Sequence, residues 1–192
     1  MLMKSEFEVT QPPDKVWEFF NDIPRVASCL PGADISTQVA DDKYEGTVVI
    51  KTGPVKLDFA GEATISERDD ANRRIVVDAN GSDIKGRGQA VLRVDAVISP
   101  STKGSTVHVD QDLHLAGAVA QYGRGLVQDV TAVLLDDFAA NMQRQLDALE
   151  SGTTVAASSS SASGFSIAMR AMRMSLVRVF RRFFLPYQPN SG

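Results

Sequence analysis

From Ala118 to Leu149 the apolar residues fall at Val119, Tyr122, Leu126, Val130, Val133, Leu134, Phe138, Met142, Leu146 and Leu149. Gaps of three and four set them in one stripe along an α-helix, with Arg124, Gln128, Asp136, Asp137, Gln143 and Asp147 mostly turned away. Such a helix is roughly 45 Å long. A single amphipathic helix of that length must bury its stripe against something equally extended. The strand-rich run before it is the only candidate, so the pattern predicts an α+β domain in which a curved antiparallel sheet wraps around a long C-terminal helix.

The preceding chain supplies that sheet. Met3, Ser5, Phe7 and Val9 alternate with charged or polar neighbours, as a half-buried first strand does. Pro12-Pro13 then opens a short helix carrying Val16, Trp17, Phe19 and Phe20. Pro24 starts a second, through Val26 and Cys29, which Leu30-Pro31-Gly32 ends. Inward tracks follow at Tyr44, Gly46, Val48 and Ile50, then at Val55, Leu57, Phe59, Gly61, Ala63 and Ile65, with a turn at Gly53-Pro54 between them. Ile75, Val77, Ala79 and Gly81 continue the alternation, then Ile84, Gly86, Gly88, Ala90, Leu92, Val94, Ala96 and Ile98, then Val107, Val109, Gln111, Leu113 and Leu115. Period two with short turns reads as a meander with one wet face and one core face.

Gly61, Ala63, Ala79, Gly81, Gly86, Gly88 and Ala90 all fall on inward tracks and supply almost no side-chain volume. Interiors pack densely, so bulk from the helix must meet this wall or a hole remains. The helix offers little near its start, where Ala118, Ala120, Gly123 and Gly125 cluster. Two readings stand. Either the small residues only let a bent sheet curl, or they line an apolar cavity under the N-terminal half of the helix, closed by the two short helices and the Leu30-Pro31-Gly32 loop. Gln111 would be the one uncharged polar group facing in.

Length and charge divide the chain. At 192 residues there is room for one domain with a proper core, taken as 1–150. The lone Cys29 excludes an intrachain disulfide and fits a reducing cytosol. The opening residues lack a signal-peptide core, and no uncharged apolar run reaches membrane-spanning length. All 24 acidic residues lie at or before Glu150; after it come five arginines and no acid. Residues 151–164 read as a flexible Ser/Ala-rich linker with an r.m.s. span of roughly 20 Å and a limit of about 48 Å. Residues 165–187 are helix-patterned, and 188–192 are expected to be a disordered end. In 165–187 an apolar arc containing Met169, Met172, Leu176, Phe180 and Phe183 opposes Arg170, Arg173, Arg178, Arg181 and Arg182. That pattern suits a helix lying on an anionic membrane surface. Docking in an acidic groove of a partner protein and a disordered tail with no role are the competing readings.

Candidate chemistry is sparse. His108, Asp110, Asp112 and His114 share an outward strand track, with successive members roughly 6.6 Å apart, which favours a solvated face over a metal site. Cys29 has no histidine in its segment or on an inward track, so packing or lining the cavity is favoured over nucleophilic chemistry. The inward set holds no carboxylate pair, His or Lys for general acid–base work. Gly123-Arg124-Gly125 is not a phosphate loop. An acidic body argues against nucleic acid. The reading is therefore non-enzymatic, with no catalytic residue and no metal.

The order of elements resembles the START-like, polyketide-cyclase-like superfamily, the helix-grip fold, over Met1 to about Glu150. More narrowly it is similar to the G-subunit family of carbon monoxide dehydrogenase. The residues carrying this are Pro12-Pro13 with Val16-Trp17, Cys29-Leu30-Pro31-Gly32-Ala33, Gly53-Pro54-Val55 with Phe59-Ala60-Gly61, Gly86, Gly88, Gly117 and Gly123. The resemblance implies an accessory protein of a molybdenum carbon monoxide dehydrogenase, peripheral on the cytoplasmic side of the cell membrane. Electrons from such an enzyme must reach a respiratory chain whose carrier, quinone, dissolves in lipid. The expectation is thus a non-catalytic protein that binds a lipophilic small molecule, a respiratory quinone held non-covalently, and links the dehydrogenase to the membrane. Leu30, Phe59, Gly88, Gln111, Leu113, Tyr122, Leu126 and Val130 would line the pocket, with Gln111 or Tyr122 hydrogen-bonding a quinone oxygen. A structural tether without ligand is the alternative, and a cyclase- or hydrolase-like enzyme the second.

Overall fold

A computed structural model of the chain describes residues 1–52 and 55–152. The expected turn at Gly53-Pro54, the linker beyond Gly152, the helix at 165–187 and the end at 188–192 lie outside the described residues.

Seven antiparallel strands form one sheet in the order β1-β7-β6-β5-β4-β3-β2. They are β1 (Leu2–Val9), β2 (Ala33–Ala40), β3 (Lys43–Thr52), β4 (Val55–Asp69), β5 (Arg74–Asp83), β6 (Gly88–Ser101) and β7 (Gly104–Gly117). Helices α1 (Pro13–Phe20) and α2 (Ile23–Cys29) fill the connection from β1 to β2, and α3 (Gly123–Glu150) follows the sheet. This is the helix-grip arrangement: an uninterrupted meander from β2 to β7, curled around one long helix.

Local chemistry sets the short helices. Pro13 stands in the first turn of α1, where a missing N–H costs nothing. Val16, Trp17, Phe19 and Phe20 then turn inward together. Asp22 caps α2 by accepting from the Arg25 backbone N–H at 3.1 Å. The Trp17 indole N–H donates to Asp70 at 2.9 Å, tying α1 to the β4–β5 turn.

The outward face is a set of cross-strand ion pairs, Lys4 with Asp110 at 2.6 Å, Arg93 with Asp78 at 2.8 Å and Lys43 with Glu62 at 2.8 Å. His108 and His114 belong to the same exposed face, beside Glu6 and Asp112.

Two features differ from the sequence expectation. β2 carried no alternation signal because it is an edge strand, exposed along most of its length and broken by two register shifts. The long helix is also not one rod from Ala118. Residues Ala118–Tyr122 form a 3₁₀ helix, and α3 begins only at Gly123, whose φ of +73° breaks the run.

The filled core lies under the C-terminal half of α3. Met142 and Leu146 pack there with Val9, Val16, Phe19, Ile98 and Val107. Phe138 meets Phe7 edge to face with ring centroids 5.9 Å apart. Gln143 and Asp147 clasp the residues after β1, Gln143 accepting from the Thr10 N–H at 2.9 Å and Asp147 from the Gln11 amide at 2.8 Å. The close neighbours of α3 are β1 and α2. Those contacts are made by its C-terminal half, where Asn141 donates to the Cys29 carbonyl at 2.8 Å and Gln145 to the Ser28 hydroxyl at 2.9 Å, and its N-terminal half stands off the middle of the sheet.

Candidate functional site

Between the N-terminal half of α3 and the concave face of the sheet the protein's own atoms leave a cavity of about 550 Å³. Strands β2 to β7 and Phe7 of β1 supply the wall, α2 and Leu30 one side, and Val119, Tyr122, Leu126, Val127, Val130 and Thr131 the roof. Of the eight residues expected to line it, seven do: Leu30, Phe59, Gln111, Leu113, Tyr122, Leu126 and Val130.

Gly88 is the correction. It lies on the inward track but outside the wall, at the first position of β6 opposite Gly117. A Cβ there would meet the Ala116 carbonyl oxygen at 2.1 Å and Val119 Cγ2 at 2.6 Å. The Val119 side chain therefore stands between Gly88 and the cavity. Gly86 is likewise no wall residue: with φ of +71° it forms the β5–β6 turn.

The remaining small residues serve two purposes at once. Gly46, Gly61, Gly81 and Ala90 pair laterally across β3 to β6 and all border the cavity. A Cβ on Gly46 would sit 2.4 Å from the Asp34 carbonyl oxygen, and one on Gly61 only 1.9 Å from that of Asn80. Those two positions let neighbouring strands close up as the sheet bends. At Gly81 a Cβ would find its nearest neighbour at 3.4 Å, so that glycine leaves usable space. Curvature and cavity are thus not alternatives; the bend is what hollows the bowl.

The wall contains no His, Lys or Arg. Asp34, Glu45 and Glu62 border it, but all three lie on outward tracks, next to Ile35, Gly46 and Gly61. Alternation therefore presents their main chain to the interior. The Glu62 carboxylate is held outside by Lys43 and Asn80, and the Lys43 hydrogen bond lowers its pKa.

Three polar side chains do face in. Gln111 is 8% exposed, and its carboxamide has no hydrogen-bond partner among the described residues. The Tyr44 hydroxyl and the Thr131 hydroxyl are equally without one among those residues. The carboxamide opens on the cavity rather than being sealed among protein atoms, so it is available to donate to or accept from a guest there. Sequence reasoning found Gln111 because it interrupts an apolar track. It missed Thr131, which sits one turn beyond Val127 on the helix, because only apolar residues were counted in the stripe. It took Tyr44 as an inward residue without using its hydroxyl.

Cys29 is fully buried, its thiol donating to the Arg25 carbonyl at 3.5 Å. Burial pushes its pKa up to about 12, despite Arg144 and Arg25 nearby. It is not among the wall residues. Among the described residues no group of three or more His, Cys, Asp or Glu is placed to hold a metal ion.

Outside the wall, beside the 3₁₀ helix that precedes α3, the β5–β6 turn carries a charged cluster. Asp83, buried, takes the Arg87 guanidinium at 2.6 and 2.8 Å and the Asp58 backbone N–H at 3.2 Å. Hydrogen bonding from Arg87 holds the Asp83 carboxyl well below the usual carboxylate range. Arg87 also donates to the Lys56 carbonyl, which fastens the β5–β6 turn to the start of β4.

Comparison with known proteins agrees with this architecture. A conserved protein from Geobacillus kaustophilus superposes with a TM-score of 0.69 at 18% identity, covering 77% of this chain and 95% of its own. The Zhui aromatase/cyclase of a Streptomyces species gives 0.55 at 12%, covering 80% and 99%. Norcoclaurine synthase from Thalictrum flavum gives 0.55 at 15%, covering 80% and 96%. At such identities the likeness is one of fold. No curated protein matches the sequence. The family model for the carbon monoxide dehydrogenase G subunit (CoxG) matches residues 5–147, most of the chain and the whole of the grip, and the chain belongs to that family.

Proposed function

We propose that this protein is a non-catalytic carrier: it holds a lipophilic small molecule, a respiratory quinone, in the grip cavity and links carbon monoxide dehydrogenase to the membrane where that molecule resides. The observation that carries the reading is an apolar cavity of about 550 Å³ with the unpartnered Gln111 carboxamide in its wall. That volume lies within the range of roughly 300–1,000 Å³ typical of sites for drug-sized ligands. An apolar wall gives water few partners, so a greasy guest is the favoured filling. A quinone presents a flat apolar ring with carbonyl acceptors, which matches one amide donor in a greasy wall. The membrane link rests on the arginine and apolar pattern of 165–187.

The test is to incubate the full-length protein with vesicles containing a menaquinone, re-isolate it, and assay extracted quinone by mass spectrometry. Uptake near one molecule per chain supports the carrier. No uptake, with dehydrogenase recruitment intact, leaves a tether alone.

A further inference from the structure

We propose that the end of the domain where the cavity meets solvent is itself a docking surface for an anionic lipid bilayer, separate from the basic segment at 165–187. The proposal builds on the carrier reading, but its test is independent of quinone.

Leu126 lines the cavity and is 38% exposed, the one large apolar side chain of the wall that is exposed among the described residues. Interior and solvent meet there. The β5–β6 turn lies at the same end of the domain, joined to the 3₁₀ helix that precedes α3 by the Val119 N–H, which donates to the Arg87 carbonyl at 3.2 Å. That turn carries Ile84, 64% exposed. A soluble domain gains nothing by holding Ile84 and Leu126 in water around a greasy opening, whereas a bilayer interface receives both.

Charge separates this end from the rest of the body. Residues 1–150 hold 24 acids and 15 bases. The opposite end of the sheet carries Asp41-Asp42 and Asp69-Asp70, of which Asp42 pairs with Arg68, together with Lys103. At the Leu126 end Asp83 is matched by Arg87 and Asp58 by Lys56, while Asp34, at the start of β2, is exposed and forms no ion pair among the described residues. Lys85 and Arg124 are exposed and form no ion pair among the described residues. Lys85 and Arg124 outnumber Asp34 at this end, a local positive excess in an otherwise acidic body. Anionic headgroups complement that pattern, and the acidic far end is repelled, which orients the opening toward the lipid.

The tether permits this pose. α3 runs from the opening to the acidic end, 28 residues or roughly 42 Å. Fourteen residues separate the end of α3 from position 165, a length of at most about 48 Å, so chain length alone lets a segment held at 165–187 share a surface with the opening.

The test uses the full chain with an environment-sensitive fluorophore on Ile84→Cys, and in a second preparation on Thr102→Cys at the opposite end; Cys29 is buried and stays unlabelled. Vesicles of phosphatidylglycerol and phosphatidylcholine should blue-shift the probe at position 84, and lipid-borne quenchers should reach it. The probe at position 102 should not respond, nor should either with phosphatidylcholine alone. Lys85→Glu with Arg124→Glu should weaken the lipid dependence at position 84 roughly tenfold or more, while quinone uptake from detergent solution is unchanged. A silent probe at 84 on protein that co-sediments with the anionic vesicles overturns the proposal. So does a shift that needs added dehydrogenase, which would make the end a protein interface.

Discussion

Gly46 of β3 stands directly opposite Gly61 of β4, and at both positions a side chain would drive into the main chain of the next strand, at 2.4 Å and 1.9 Å from a carbonyl oxygen. Gly81, paired with Gly61 on the other side, has room for a methyl group. The row therefore sorts into positions that make the bend and a position that makes space. Gly61→Ala should destabilise by about 2–3 kcal/mol. Gly81→Ala should stay within about 1 kcal/mol of the parent, since alanine also narrows the unfolded ensemble. Denaturant titration of both variants checks the contrast.

Cavity filling should separate binding from folding. Ala79→Leu and Ala90→Leu add volume where the wall faces open space rather than backbone. Both should keep the parent melting temperature within a few degrees and lower quinone affinity by roughly tenfold or more. Gly88→Leu is unsuited to this purpose, because it strikes Ala116 and Val119 before it reaches the cavity.

Gln111→Leu removes an amide that has no protein partner among the described residues. Its stability should be unchanged or higher, and its affinity for a quinone lower by about 3- to 10-fold, the worth of one hydrogen bond. Calorimetric binding alongside thermal melting reads both effects. A fall in stability together with unchanged affinity would place the amide in a structural role.

The Asp83 carboxyl, held below its ordinary range by Arg87, contributes stability that is complete above the unfolded carboxylate pKa of about 3.9 and is lost as pH falls through the lower folded value. Asp83→Asn should lower the melting temperature by several degrees at pH 7. The difference from the parent should shrink as the pH approaches 2. Melting curves between pH 2 and 7 follow this.

Cys29, with its pKa pushed up to about 12 by burial, should be inert in the folded protein. At pH 8 roughly one thiol in ten thousand is ionised, so a thiol reagent should leave it unmodified while the denatured chain reacts fully. Time-resolved alkylation at pH 8 measures this directly.

Much of the fold was legible because its strands are half buried. β1, β5, β6 and β7 each keep one wet and one dry face, and that alternation survives in sequence. β2 was invisible for the same reason in reverse: with little of it buried, nothing forces its residues to alternate. The break at Gly123 depended on one left-handed residue inside a stripe whose spacing continues through it. In the site, parity placed Leu113, Phe59 and Gln111 correctly, because a strand's side-chain direction follows from counting. Parity says nothing of depth, which is why Gly88 was put in a wall that Val119 screens. The wall also extends to Val127, Thr131 and Leu135, since a helix facing a space exposes a broader arc to it than one packed in a seam.

The central claim is that the space beneath α3 holds a quinone. Native mass spectrometry of the full-length protein, taken after incubation with menaquinone vesicles, tests it most directly. The predicted result is a mass shift of one quinone per chain that Ala79→Leu abolishes. An unshifted parent, folded and saturably binding its dehydrogenase, would contradict it.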